Sequence, residues 1–146
     1  MNFRVKPGKQ GPGGLWIGLL PGRYIGPESF DQTVRVHEDV FWFFETSIKR
    51  HSAMYARPYS HYAQTAVSRQ EWEKILREWE DLVENLKTAI IPIELKILRE
   101  IPRHVRRVFI RSFDRNRRKL GALAGRLVKW IRAELETQPE VSILGI

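Results

Sequence analysis

The sequence predicts a mainly α protein: a compact bundle of four to five helices behind a short, Gly/Pro-rich N-terminal β-hairpin, with an α+β arrangement left open. Three observations carry this expectation. Seven of the ten glycines and four of the eight prolines fall within residues 1–27, a density that no helix tolerates. From residue 33 onward, apolar residues recur at helical spacing through most of the chain. The chain has 146 residues, 42% hydrophobic and 11% aromatic, which suits one core and one domain. That domain divides into a hairpin segment, residues 1–30, and a helical core, residues 31–146.

The elements follow in order. Phe3, Arg4 and Val5, then residues 15–20, are strand-like pieces bounded by Pro7-Gly8, a glycine-rich run and Pro21-Gly22. The run GKQGPGG lacks Walker spacing and a Lys-Ser/Thr pair, so it does not read as a phosphate-binding loop. Residues 33–51 read as a helix with Val36, Val40, Phe43, Phe44, Ser47 and Ile48 on one face. Val34, Val36, Val40, Trp42 and Phe44 also alternate as in a strand; Glu38 interrupts that pattern, and the length favours a helix. Residues 52–67 read as a connection, broken by Pro58. Ser68 stands three before Glu71, a capping box opening a helix over 69–88 with Trp72, Ile75, Leu76, Trp79, Leu82, Val83 and Leu86 at helical spacing. Residues 90–101 fit a strand or a helix, and the neighbouring elements favour a helix. Residues 103–138 read as one long helix, or two with a break near residues 114–116; Pro139 ends it. The apolar tail, residues 141–146, either pairs with the hairpin or docks on the core.

Charge is unevenly distributed. The chain holds 25 Lys+Arg against 17 Asp+Glu, a net +8. Residues 103–132 alone hold eleven basic residues and one acid, a net +10, so the other 116 residues are slightly acidic. Arg103, Arg107, Arg111 and Arg115 recur every four residues, and Arg118, Lys119, Arg126 and Lys129 continue the row opposite Leu120, Leu123, Leu127 and Trp130. Such a stripe attracts nucleic-acid phosphates, an acidic lipid surface or an acidic protein. The competing reading pairs some of these arginines with the acidic helix of residues 71–84, which has Glu71, Glu73, Glu78, Glu80, Asp81 and Glu84; the side opposite its tryptophans, Glu73, Glu80, Asp81 and Glu84, is a negative strip. Gly121 and Gly125, one turn apart, read as a tight helix crossing, with a hinge as the alternative.

The absence of cysteine excludes disulfides, thiolate zinc sites, Fe–S ligation and cysteine nucleophiles. His37, His51, His61 and His104 are scattered without metal-ligand spacing, and no cofactor motif is present. A catalytic reading as a small ribonuclease would need His51, His61 and Arg57 assembled, and nothing in their spacing fixes that. No apolar run is long enough to span a bilayer, and the expectation is a cytoplasmic protein. Tyr55, Arg57, Tyr59, His61 and Tyr62 gather in one connecting segment. Tyr and Arg are enriched at binding hot spots, which marks the segment as a recognition loop; the alternative is tyrosines covering the core.

The VFWFFE stretch at residues 40–45, the RPYSHY loop at 57–62 and the tryptophan-bearing acidic helix EWEKILREWEDL at 71–82, in a compact cysteine-free chain, resemble the immunity proteins of bacterial polymorphic and contact-dependent inhibition toxins. The resemblance implies a cytoplasmic, non-enzymatic inhibitor that binds one cognate toxin and covers its active site. Its partner-binding residues would be Tyr55, Arg57, Tyr59, His61 and Tyr62 with Glu73, Glu80, Asp81 and Glu84. The net positive charge departs from the acidic habit of nuclease inhibitors. The alternative is a nucleic-acid-binding module using the basic helix 103–132.

Overall fold

The computed structural model describes residues 1–7, 15–52, 60 and 63–145, the side chains of Pro27 and Glu28 excepted. The chain runs β1 (Val5–Pro7), β2 (Trp16–Pro21), β3 (Val34–His37), α1 (Glu38–His51), β4 (Gln64–Ser68), α2 (Arg69–Thr88), α3 (Arg103–Ile110), α4 (Phe113–Thr137) and β5 (Glu140–Leu144). The five strands form one antiparallel sheet in the order β1-β3-β2-β5-β4. The fold is therefore α+β, and the expected helical bundle with an N-terminal hairpin is corrected. The sheet draws strands from residues 1–30 and from residues 31–146.

Each correction has a local cause. β1 and β2 do not pair with each other; β3 lies between them, with Val36 opposite both Val5 and Ile17. Residues 34–37, expected as the first turn of a helix, are that strand, because β-branched Val34 and Val36 suit a pleated surface. The helix starts at Glu38, the residue that interrupts the alternation. The His37 side chain accepts the Asp39 N–H at 3.3 Å, and Glu38 and Asp39 complement the N-terminal dipole. β4 falls in the segment read as a connection; it is a five-residue edge strand with Thr65 and Val67 buried. The tail is β5, pairing with β2 as one alternative had it and with β4 on its other side.

Ser68 ends β4 and caps α2. Its Oγ accepts the Glu71 N–H at 3.3 Å, and a Glu71 carboxylate oxygen accepts the Ser68 N–H at 2.9 Å, the reciprocal box the sequence predicts. Trp72 and Trp79 turn inward from α2 and are buried. The Trp72 indole N–H donates to Val141 O on β5 at 2.9 Å, fastening helix to sheet. The Trp79 N–H donates to Ser47 Oγ on α1 at 2.7 Å. Phe43 meets Phe109 at 4.9 Å between ring centroids, joining α1 to α3.

Residues 90–101 are not the expected helix. They form two short 3₁₀ turns, Pro92–Glu94 and Lys96–Arg99, framed by Pro92 and Pro102. Leu95, Leu98 and Ile101 are buried at a spacing of three, the period at which a 3₁₀ turn superposes its side chains. The predicted break in the basic segment falls at Arg111 and Ser112, slightly earlier than residues 114–116. Buried Asn116 donates to Phe109 O at 2.8 Å and Val108 O at 3.3 Å, satisfying carbonyls at the end of α3.

α4 runs antiparallel to α2: Glu80 meets Arg132, and Leu86 meets Gly121 and Arg117. The tight crossing expected at the two glycines is absent. A Cβ at Gly121 would stand 3.8 Å from Leu86 Cβ, and one at Gly125 would meet nothing within 4 Å. The seam opens there into a groove of about 570 Å³. Gly125→Ala is therefore expected to stabilise the fold by about 0.5–1 kcal/mol through the helix-propensity difference. Urea unfolding checks this, and a destabilised variant would mean that the groove needs the bare backbone.

Candidate partner-binding surface

The basic row is presented by α3 and α4. Arg103, Arg107 and Arg111 are exposed on and just beyond α3, and Arg115, Arg118, Lys119, Arg126 and Lys129 are exposed along α4. Of the eleven basic residues between 103 and 132, two make ion pairs among the described residues: Arg117 with Asp114 at 3.0 Å, and Arg132 with Glu80 at 2.7 Å. Arg115 and Arg118 hydrogen-bond to Ser112 Oγ and Asp114 O. Charge docking of the basic helix on the acidic one thus comes down to the single pair Arg132–Glu80. The two helices are joined instead by buried Leu86, Leu120, Leu123, Ala124 and Leu127.

The start of the row runs against local helix energetics. α3 has no side-chain cap, no acid in its first turn, and Arg103 and His104 at its positive end. Arg103, Arg107 and Arg111 also repel at i, i+4. Arg107, in the last turn of α3, suits the negative end of the dipole, and Arg117 pairs with Asp114 within α4, so the cost falls at the start of α3.

Glu73, Glu80, Asp81 and Glu84 are exposed on α2, opposite the buried tryptophans, as the spacing predicts. Part of this strip is neutralised inside the chain, Glu80 by Arg132 and Glu84 by Lys87 at 2.6 Å. The predicted recognition residues Tyr55, Arg57, Tyr59, His61 and Tyr62 lie outside the described residues.

Where α1 ends, ahead of that segment, Glu78 of α2 gathers two α1 residues. Its carboxylate pairs with Arg50 and accepts from His51 Nε2 at 2.5 Å, while Arg50 reaches Glu100 at 3.4 Å. The cluster borders a cleft of about 250 Å³ that includes Ser47, Trp79 and Asn85. Burial pushes the Glu78 carboxyl up, but hydrogen bonds from Arg50 and His51, helped by their charges, hold it below the ordinary carboxylate value. The same hydrogen bond to Glu78 raises Arg50 against its own burial. A depressed folded pKa contributes stability that is present above the unfolded value, about 4.3 for Glu, and is lost as pH falls through the folded one. Thermal melts are expected to drop as pH falls below the ordinary carboxylate range, and Glu78→Gln is expected to flatten that drop. An unchanged acid limb in the variant would assign it to other carboxylates.

One surface was missed by sequence reasoning. Ile90 and Ile93 are 78% and 71% exposed, Ile91 is half exposed between them, and half-exposed Ile110 of α3 shares a hollow with Ile93. Together with the arginines of α3 they form an apolar ledge on a basic shoulder. The available signal was the spacing of Leu95, Leu98 and Ile101, which takes the core positions and leaves the earlier isoleucines outside.

The remaining histidines have structural surroundings. His37 caps α1 and meets the Trp16 ring edge-on at 5.3 Å, and His104 is exposed on α3. Among the described residues no group of three or more His, Asp or Glu side chains is placed to hold a metal, and no helix is long and apolar enough to cross a membrane. Compared with known protein families, curated proteins and solved structures, the chain matches none.

Proposed function

We propose that the protein acts by binding another protein, as a small inhibitor of the immunity-protein kind that covers the active site of a cognate bacterial toxin. The observation that carries this reading is the arginine row of α3 and α4, exposed and almost wholly without carboxylate partners among the described residues. Exposed arginines without carboxylates of their own are explained by a partner that brings them. Arginine is among the residues that dominate protein interfaces, and a single-sign face accelerates the encounter with an acidic one. The partner surface is then acidic, which accounts for an inhibitor with net positive charge.

The test is capture of the tagged protein's partner from its native host at physiological salt, followed by reconstitution from purified components. The expected result is a stoichiometric complex in which the partner's toxic activity is abolished. A saturated partner that stays fully active overturns the inhibitor reading. The same row favours a second reading, binding of nucleic-acid phosphates. RNA or DNA binding at low salt that collapses as salt rises would support it.

A further inference from the structure

We infer that the hollow between the Pro92 turn and α3 is an anchor pocket for an apolar side chain on an acidic segment of a partner protein. The inference rests on the protein-binding reading above and names the chemistry of the partner.

The hollow holds about 250 Å³. Ile93, Leu98 and Ile110 make its apolar lining, and Arg99 and Arg106 stand at its edge. Ile90 and Ile91 extend the apolar surface outward. Contiguous exposed isoleucine is costly in water and marks an interaction site when polar groups rim it. The ledge is also pre-organised. The Glu94 carboxylate accepts the N–H groups of Ile90 at 2.6 Å and Ile91 at 3.1 Å, the Leu95 N–H donates to Pro92 O at 3.0 Å, and Arg106 donates to Leu98 O at 3.2 Å. A held surface loses little freedom on binding.

Charge complementarity selects the occupant. Arg99 and Arg106 flank the hollow and make no ion pair among the described residues, and Arg103 and Arg107 are exposed on the same helix as Arg106. The nearby acids are engaged, Glu94 by the two amides and Glu100 by Arg50. The occupant must therefore bring carboxylates to the rim and an apolar side chain to the hollow. A second copy of this chain would set arginine against arginine across a two-fold axis. A polyphosphate would use the arginines and leave the isoleucines in water.

Fluorescence anisotropy at low salt tests this with a labelled helical peptide of about 20 residues, carrying a leucine stripe flanked by glutamates. A scrambled peptide of the same composition, oligouridylate and phosphatidylglycerol vesicles serve as comparisons. The striped peptide is expected to bind about fivefold or more tightly than the scrambled one, the scale of one buried leucine contact. Ile93→Ser and Ile110→Ser are each expected to erase that preference; Ile93→Ser does so without lowering the melting temperature, since that side chain is 71% exposed, and the half-exposed Ile110 site gives a small drop. Equal affinity for the two peptides, or a preference that survives both substitutions, overturns the anchor pocket and leaves an acidic partner recognised by charge alone. Binding confined to oligouridylate, or to vesicles, overturns it in favour of nucleic acid or a lipid surface. If none of the four probes binds, the anchor pocket and the anionic-partner reading both fall.

Discussion

Trp79→Ala is expected to cost about 3–5 kcal/mol of folding stability, the range for truncating a buried tryptophan. The ring is 1% exposed and sits at the junction of three elements. It packs on Phe44 at 4.6 Å and on Trp72 at 5.5 Å between centroids, and its N–H holds Ser47 Oγ. Through Trp72 the same cluster reaches Val141 on β5. The loss combines transfer of a large apolar surface with a cavity that α1, α2 and the sheet cannot all close upon. Ser47 still donates to Phe44 O at 2.7 Å, so the truncation leaves no stranded hydroxyl. Trp79→Phe keeps most of the packing and loses the hydrogen bond, and should cost about 1–2 kcal/mol. Urea unfolding followed by circular dichroism measures both. A Trp79→Ala loss below about 1 kcal/mol would contradict the α1–α2 packing.

Arg103→Glu combined with Arg107→Glu is expected to weaken the partner complex by about 2 kcal/mol or more, the scale of interface hot spots. Both side chains are exposed and unpaired among the described residues, so the loss falls on binding and not on the fold. Stability should stay nearly constant, because a carboxylate at position 103 suits the positive end of α3 while one at position 107 sits near its negative end. Titration calorimetry of the reconstituted pair, with thermal melts of the free variant, separates the two effects. A variant that binds the partner as tightly as the wild type removes the arginine row from the interface.

What could be read from the sequence was local. The capping box at Ser68 and Glu71 and the tryptophan spacing of α2 lie within one helix, and all were legible. The start of α1 was ambiguous because Val34 and Val36 satisfy both a period of two and one of 3.6. β4 carries only two buried residues in five, too few to distinguish an edge strand from a loop. The basic row was visible as charge. Whether it faced carboxylates was not, because opposite charge on two helices says nothing about which faces meet. The isoleucine ledge escaped notice because an apolar run is ordinarily core, and only the competing claim of Leu95, Leu98 and Ile101 on the interior turns Ile90, Ile91 and Ile93 outward.

The order of residues suffices for the helices that hold their own periodicity and caps, for the buried face of α2, and for the concentration of positive charge in residues 103–132. Long-range packing was needed to establish that β3 separates β1 from β2, that β5 returns to the interior of the sheet between β2 and β4, and that all but two of the basic residues in 103–132 stay without an ion pair among the described residues. The difference lies in the range of the interactions. Helix hydrogen bonds and caps join residues three or four apart, so their signals lie in one short window. The pairing of Gly18 with Leu144, or of Glu80 with Arg132, joins residues whose nearness exists only after the core has closed.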